Sequence, residues 1–341
     1  MYRDDVLAWI SNLPGEYTTY ARPPESVGMT TDQEFAMVES YARDVFSGKG
    51  RIFDLGCWYG ATTAAMARGL ARNSRTDRRK IVDAVDTFIW EAWMDGHGDS
   101  LRVGRRPEHT SFLDAVHKRL APYEGLVNLV QQDLSNYELD DEPVEFLFID
   151  AMKSWSLANS IYTTFFPALL ERNSVVVQQD FMWHHPLGAT AHMMMWWLRE
   201  NFLYLHRVPN SCSTVYFCEE SVPATSFFSS ELFTLDDIHS AYEYNFGCVG
   251  ADAALPLRVA KVGYLSELGF YKSAARELEL LELVVHDLSQ LAPSAFADLK
   301  DWVSHTKLYQ PTSALAGDES SEDNFAHLVS RLSASADRHA R

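Results

Sequence analysis

The chain has 341 residues, 47% of them hydrophobic and 22% charged, which suits a globular protein built as one large domain or as a catalytic domain with an accessory region. Its formal net charge of −18 argues against nucleic acid as a partner, because an acidic protein repels phosphate backbones. The N-terminal residues MYRDDVLAWI lack the pattern of a signal peptide, and no apolar run is long enough to span a bilayer, so we expect no membrane partner.

The four cysteines give little indication of a metal site or of disulfide bonds. Their positions match no zinc-binding spacing and form no dense disulfide framework; they are Cys57, Cys212, Cys218 and Cys248. We therefore expect reduced thiols in a cytoplasmic protein. The sequence leaves open whether the chain forms a homo-oligomer.

Residues 1–49 are predicted to form an N-terminal helical cap. A short helix opens the chain, and Thr31 with Glu34 has the spacing of a capping box, which predicts a second helix running to about Phe46.

Residues 50–220 alternate between apolar strand-like runs and helical segments. Strands are predicted at 51–55, 81–86, 127–133, 144–150 and 174–180, with helices near 61–72, 110–121, 156–171 and 188–201. Strands separated by helices pair in parallel through right-handed crossovers. The runs at 203–208 and 214–218 are too close together for a crossover helix, so they predict a hairpin. The pattern therefore predicts an α/β fold with a Rossmann-like doubly wound sheet and an antiparallel terminal strand.

Residues 221–341 have a different pattern, in which no clear strand is visible. Helical periodicity over 255–292 predicts a helix pair, and the polar stretch from GDESSED onward predicts a mobile tail. We expect a helical C-terminal appendage.

Each of the first five predicted strands ends in or beside an aspartate. These aspartates are Asp54, Asp86, Asp133, Asp150 and Asp180. Ligands of open α/β sheets bind at these strand ends, so five acids in register indicate a site there.

The loop after the first strand, FDLGCWYG, contains Gly56 and Gly60. A dinucleotide fingerprint has a glycine where this loop has Trp58, and a bulky ring there argues against a pyrophosphate and hence against a nicotinamide oxidoreductase. S-adenosylmethionine has no pyrophosphate and suits the loop better. A tight strand-to-helix turn without a ligand is the alternative.

Three motifs resemble those of class I S-adenosylmethionine-dependent O-methyltransferases. FDLGCWYGATTAAMARGL resembles the first motif of catechol O-methyltransferase, AVDTF a segment of the macrocin (sugar) O-methyltransferases, and FIDAMKSW the fourth-strand motif of both. The resemblance covers roughly residues 33–220 and leaves the C-terminal third unexplained.

The resemblance implies roles for the residues at the first three strand ends. Gly56 and Gly60 would lie against the methionine portion of the cofactor, with Asp54 near its ammonium. Asp86 would accept hydrogen bonds from the ribose hydroxyls, and Asp133 would face the adenine. We therefore expect Gly56→Val to block the cofactor while leaving the fold intact.

The resemblance also implies a catalytic and metal-binding site at the ends of the fourth and fifth strands. Asp150, also counted with the cofactor site, stands where metal-dependent relatives bind magnesium, and Lys153 where catechol O-methyltransferase has its general base. Those relatives place two adjacent acidic or amide ligands after the fifth strand, whereas this chain has Gln179 and Asp180. Glutamine is a weaker ligand, so the need for magnesium stays open.

Two histidines, His184 and His185, follow the fifth strand and could act as the base, since an imidazole titrates near neutral pH. His192 is predicted to be a packing residue. Trp90, Trp93 and Met94 are predicted either to cover the ligand or to lie in the core.

Together these features predict methyl transfer from S-adenosylmethionine to a hydroxyl of a small-molecule acceptor, such as a sugar or natural product. The alternative is a catalytically degenerate methyltransferase fold that binds a cofactor or a protein partner.

Overall fold

The structure is a computed structural model that describes residues 2–23, 28–75, 81–96, 105–224, 227–250 and 253–291. The chain divides into two compact units, Met1–Asp180 with Leu198–Leu232, and Phe181–Trp197 with Phe233–Arg341. The polar tail predicted from GDESSED onward lies outside the described residues.

The first unit is built on a seven-stranded sheet with the order β3-β2-β1-β4-β5-β7-β6. The strands are β1 Arg51–Leu55, β2 Val82–Asp86, β3 Val127–Gln131, β4 Val144–Ile149, β5 Val175–Gln178, β6 Phe202–Arg207 and β7 Thr214–Cys218. Strands β1 to β5 run parallel, and β7 is antiparallel to both β5 and β6. The Rossmann-like sheet with an antiparallel terminal strand is confirmed, although β7, the last strand in the chain, lies between β5 and β6 rather than at the edge.

Helices of the first unit begin within about three residues of the predicted positions. They are α1 Tyr2–Thr19, α2 Asp32–Ser40, α3 Ala61–Leu70, α4 Leu113–Leu120 and α5 Trp155–Phe165. The first one is longer than the short helix that the sequence predicts, because it continues through Pro14. The capping box at α2 is formed in both directions: Glu34 N–H donates to Thr31 Oγ1 at 3.3 Å, and Thr31 N–H donates to Glu34 Oε2 at 2.7 Å. A short π-helical turn, Tyr41–Val45, continues α2.

Alternate residues of the strands are buried on opposite faces of the sheet. Ile52 and Phe146 belong to one core cluster with residues of α1, α2 and α3. Phe53, one position along β1, points the other way, and its ring centroid lies 5.1 Å from that of Phe165 on α5. Burial on both faces explains why β4 is apolar throughout most of its length.

Helices make up the regular structure of the second unit in the residues that the structure describes. They are α6 Ala189–Trp197, α7 Leu235–Val249, α8 Leu255–Glu267 and α9 Tyr271–Leu291. The predicted helix pair corresponds to α8 and α9, whereas α7 was not predicted from the sequence. In the described part of the chain, no helix has the length and apolar character that crossing a membrane requires.

Candidate active site

The candidate site lies where the strand order of the sheet reverses. Strands β1 and β4 are neighbours, but the chain leaves them toward opposite edges of the sheet, which opens a crevice between their carboxyl ends. Gly56 follows β1 and Asp150 follows β4, and a Cβ atom added to Gly56 would lie 2.6 Å from the Asp150 carbonyl oxygen. The two loops are therefore in contact at the switch point.

Both glycines of the first loop are required by the fold itself. Gly56 has φ +79° and Gly60 has φ +71°, a region that side chains other than glycine rarely adopt. A Cβ atom at Gly60 would lie 2.9 Å from Leu120 of α4. The expectation that Gly56→Val leaves the fold intact therefore needs correction, because the added atoms would meet the Asp150 backbone. Contact with a cofactor remains a prediction for both glycines.

We expect Gly56→Ala to destabilise the first unit. The strained backbone alone costs about 1–3 kcal/mol, and the collision of the added Cβ atom with a main-chain carbonyl adds to this cost. Urea unfolding measures this loss. Gly125→Ala is the matched control, because no atom lies within 4 Å of the Cβ position there. Equal stability of the two variants would contradict the packing role of Gly56.

Asp54 ends its strand inside the protein, with none of its surface exposed. Its Oδ2 accepts hydrogen bonds from the hydroxyls of Thr62 at 2.8 Å and Thr63 at 2.6 Å. Its Oδ1 is buried and has no hydrogen-bond partner in the structure. Burial raises the pKa of Asp54 to about 6, the two threonines oppose this shift, and the charges of Asp150 and Asp86 add to it. The three carboxylates are thus close enough to interact.

Asp86 joins the first two loops of the site. Its Oδ2 accepts the backbone N–H of Trp58 at 2.9 Å, and its Oδ1 accepts that of Phe88 at 2.8 Å. Burial raises the pKa of Asp86, and these two hydrogen bonds oppose the shift. A carboxylate has about four acceptor positions, so it can still receive ligand hydroxyls.

Trp58 adopts a backbone conformation that is uncommon for a bulky residue, with φ +45°. Its indole N–H is buried without a hydrogen-bond partner. The ring lies 6.1 Å from that of Trp93, which is 53% exposed. Trp90 and Met94 are buried, so of the three residues predicted as a cover or as core only Trp93 is open to solvent.

Asp133 lies two residues beyond the end of β3 and is exposed. Its Oδ1 accepts the backbone N–H and the hydroxyl of Ser135, both at 2.8 Å, and caps a short 3-10 turn. The contact with adenine stays a prediction for this residue.

Lys153 links the acids of the fourth and fifth strand ends. Its Nζ donates to Asp150 Oδ1 at 3.2 Å and is in contact with Asp180 Oδ2. Burial raises the pKa of Asp150, and the lysine charge opposes this shift. In this geometry Lys153 is a hydrogen-bond donor to two carboxylates, whereas a general base must accept a proton. Its role as the base stays a prediction.

The residues proposed to bind magnesium do not fit that ion as they are arranged. Lys153 already provides the cation between Asp150 and Asp180. Among the described residues, the one group of three acidic, cysteine or histidine side chains with converging ligand atoms is Glu91, Glu108 and His109, which includes neither aspartate. The side-chain oxygen of Gln179 is buried without a hydrogen-bond partner, but a neutral amide adds no charge.

The predicted histidines belong to the second unit. His185 caps the turn at Pro186–Gly188, where its Nδ1 accepts the backbone N–H of Leu187 at 3.1 Å, and its ring stacks on Trp183. This hydrogen bond assigns the ring proton of neutral His185 to Nε2. His184 is half-buried. Their role as a base stays a prediction. His192 is fully buried, as expected for a packing residue.

Two residues of the site were not singled out from the sequence, Thr62 and Thr63. They occupy the first turn of α3, and their hydroxyls hold the buried Asp54. The signal that could have found them is a pair of hydroxyl residues just after the second loop glycine, in a helix that must pack against a strand-end acid.

The comparison with known proteins finds a structural likeness but no match to a family model or to a curated protein. Among solved structures, the chain is similar to the crystal structure of CalS11, a calicheamicin methyltransferase, with 12% sequence identity over 62% of this chain and 91% of that chain and a TM-score of 0.40. At this TM-score the likeness supports no statement about the site.

Proposed function

We propose that the first unit binds S-adenosylmethionine at the β1/β4 switch point and transfers its methyl group to a small-molecule hydroxyl. The observation that carries the proposal is the buried, unpartnered Oδ1 of Asp54, in electrostatic contact with Asp86 and Asp150. A buried anionic oxygen without a partner is costly unless a ligand satisfies it. S-adenosylmethionine carries an ammonium and a sulfonium, so its charge complements this site.

The shape of the first loop supports the same ligand. The positive φ angles of Gly56, Trp58 and Gly60 wind the chain tightly between β1 and α3. The backbone N–H of Trp58, which could otherwise bind an anionic ligand, instead donates to the carboxylate of Asp86. This arrangement offers a ribose acceptor and no place for a pyrophosphate.

When bound, S-adenosylmethionine supplies an electrophilic methyl group on its sulfonium. The role of the chain is to hold the acceptor oxygen in line with that methyl group, which supplies much of the acceleration. Asp54 would receive the ammonium directly or through a water, and Asp86 the ribose hydroxyls. The acceptor proton would pass to a base, for which the candidates are Lys153, His184 and His185. Lys153 can serve only if its ammonium between Asp150 and Asp180 first loses a proton.

The resemblance of the sequence motifs to sugar O-methyltransferases supports a sugar or another natural product as the acceptor. The binding-only alternative predicts cofactor affinity without turnover. Incubation with methyl-labelled S-adenosylmethionine and a panel of hydroxylated small molecules separates the two, because only an enzyme moves the label to an acceptor.

The proposal predicts that isothermal titration calorimetry detects binding of S-adenosylmethionine but not of reduced nicotinamide cofactor. We expect Asp86→Ala to weaken this binding at least about tenfold, since a hydrogen bond to a charged group contributes about 1.5–3 kcal/mol. Circular dichroism checks that the variant folds, because Asp86 also holds two backbone N–H groups.

Asp114→Asn is the matched control for this experiment. It removes an exposed carboxylate that pairs with Arg106 on the surface, so its affinity should equal that of the parent. Unchanged affinity in a folded Asp86→Ala variant would remove Asp86 from the site, and no binding by the parent would contradict the proposed function.

A further inference from the structure

The pair of carboxylates held by Lys153 is created by the pairing of β4 with β5. Ile149 and Gln178 are opposite each other in register at the ends of these two parallel strands. Asp150 follows the first strand directly, and Asp180 lies two residues after the second. The topology therefore brings two acids to the same edge of the sheet, where they would repel each other if no cation lay between them.

Further negative charge surrounds this pair. Glu34 and Asp86 both raise the pKa of Asp150 through their charges. Glu34 is itself buried, where its Oε2 accepts the Thr31 N–H and its Oε1 the Ser213 hydroxyl. One positive group at this position offsets several negative ones, and the side chain in contact with both Asp150 and Asp180 is Lys153.

We propose that Lys153 is a built-in cation, which takes the place that a divalent metal ion would otherwise fill between Asp150 and Asp180. The ammonium neutralises the two acids and fixes the spacing of the loops after β4 and β5. As a monovalent group with three directed N–H donors, it acts as a positioning residue. The parent protein then needs no metal ion at this site. This inference does not rest on methyl transfer, since it concerns the charge of one side-chain cluster.

The test is to remove the ammonium and measure whether a metal ion replaces it. Lys153→Met keeps the length of the side chain but leaves the carboxylates of Asp150 and Asp180 without their cation. Such oxygen ligands suit Mn²⁺, which electron paramagnetic resonance detects directly. We expect Lys153→Met to bind one additional Mn²⁺, at least about tenfold more tightly than the parent binds at this position.

Two control variants and one background substitution make the measurement specific. Lys153→Arg retains a cation and should gain no Mn²⁺, and Lys153→Met combined with Asp180→Asn should lose the gain. All variants are made in a His109→Gln background, because Glu91, Glu108 and His109 could bind Mn²⁺ elsewhere. Thermal melting gives a second readout: the melting temperature of Lys153→Met should fall and recover on adding Mn²⁺.

Two results would overturn the inference. One is Mn²⁺ binding by the parent that Asp180→Asn abolishes, which would show that a metal displaces Lys153. The other is a folded Lys153→Met variant that takes up no more Mn²⁺ than the parent. If Lys153→Met does not fold, Lys153→Gln, which keeps a polar side chain, is measured in the same way. Calorimetry of the parent with S-adenosylmethionine is scored separately, so failure of the proposed function would not be mistaken for failure of this inference.

Discussion

The affinity for S-adenosylmethionine should fall steeply as the pH drops below about 6, because Asp54 must be ionised to receive the cofactor ammonium. Burial raises the pKa of Asp54 to about 6, so the acid becomes neutral in a range where the α-amino group, with a pKa of about 8, stays charged. One linked proton changes affinity about tenfold per pH unit. Calorimetry between pH 5 and pH 8 measures the slope.

The variant Asp54→Asn isolates this effect. Its amide oxygen can still accept from Thr62 and Thr63, but it carries no charge at any pH. Affinity at pH 7.5 should fall at least about tenfold, since a charge-assisted hydrogen bond is lost. The number of protons linked to binding should decrease by one, although Asp86 and Asp150, whose pKa values are also raised by burial, still contribute.

The same substitution should stabilise the protein in the absence of ligand. The folded pKa of about 6 lies above the usual value near 3.9, so the folded state binds a proton more tightly than the unfolded state does. Stability from this group is therefore lost as the pH rises through 6, and at pH 7.5 the ionised Asp54 costs about 3 kcal/mol. Asp54→Asn removes most of that cost, as measured by urea unfolding. If Asp54→Asn binds S-adenosylmethionine normally and is less stable than the parent, Asp54 serves the fold and does not bind the cofactor.

The sequence predicted those parts of the fold that depend on local pattern. The apolar run ending in Asp54 and the pair of runs at 203–208 and 214–218 correspond to β1, β6 and β7, because strand character and connection length are properties of the chain itself. The position of β7 between β5 and β6 was not predicted, since it depends on which edge the hairpin joins.

The parts of the site that depend on contacts between distant residues were not accessible from the sequence. The requirement for glycine at position 56 comes from the Asp150 backbone, which is far away in the chain. The pairing of Lys153 with Asp180 depends on the parallel pairing of β4 with β5. Asp133 was placed at the end of a strand, but β3 ends at Gln131, because the turn after it takes the aspartate as its cap.

His192 should make the stability of the second unit depend strongly on pH between 6.5 and 4. The ring is fully buried on α6, and its Nε2 lies 2.6 Å from the Phe181 carbonyl oxygen, which can only accept, so Nε2 carries the proton. Its Nδ1 then accepts from the Tyr242 hydroxyl at 3.2 Å. Both nitrogens are satisfied in the neutral ring, and burial lowers the pKa of His192 to about 4.

The direction of the effect follows from this lowered pKa. Below about pH 6.5 the unfolded chain takes up a proton on this histidine and the folded chain does not, so stability falls as the pH decreases and the loss is complete near pH 4. A shift from 6.5 to about 4 corresponds to about 3 kcal/mol. Tyr242, which faces the ring from α7, stays protonated in this range because burial raises its pKa well above 10. Lys261 on α8 lies over the Tyr242 ring and pairs with Glu277.

Urea unfolding, monitored by tryptophan fluorescence at several pH values, measures this pH dependence of the stability. His192→Gln should be less stable than the parent at pH 7.5, because a flexible amide fills the buried position poorly, yet it should lose less stability between pH 6.5 and pH 4. Replacing His117, which is exposed on α4, by glutamine should leave the slope of the parent unchanged. Equal slopes in the parent and in His192→Gln would mean that His192 does not carry the acid sensitivity.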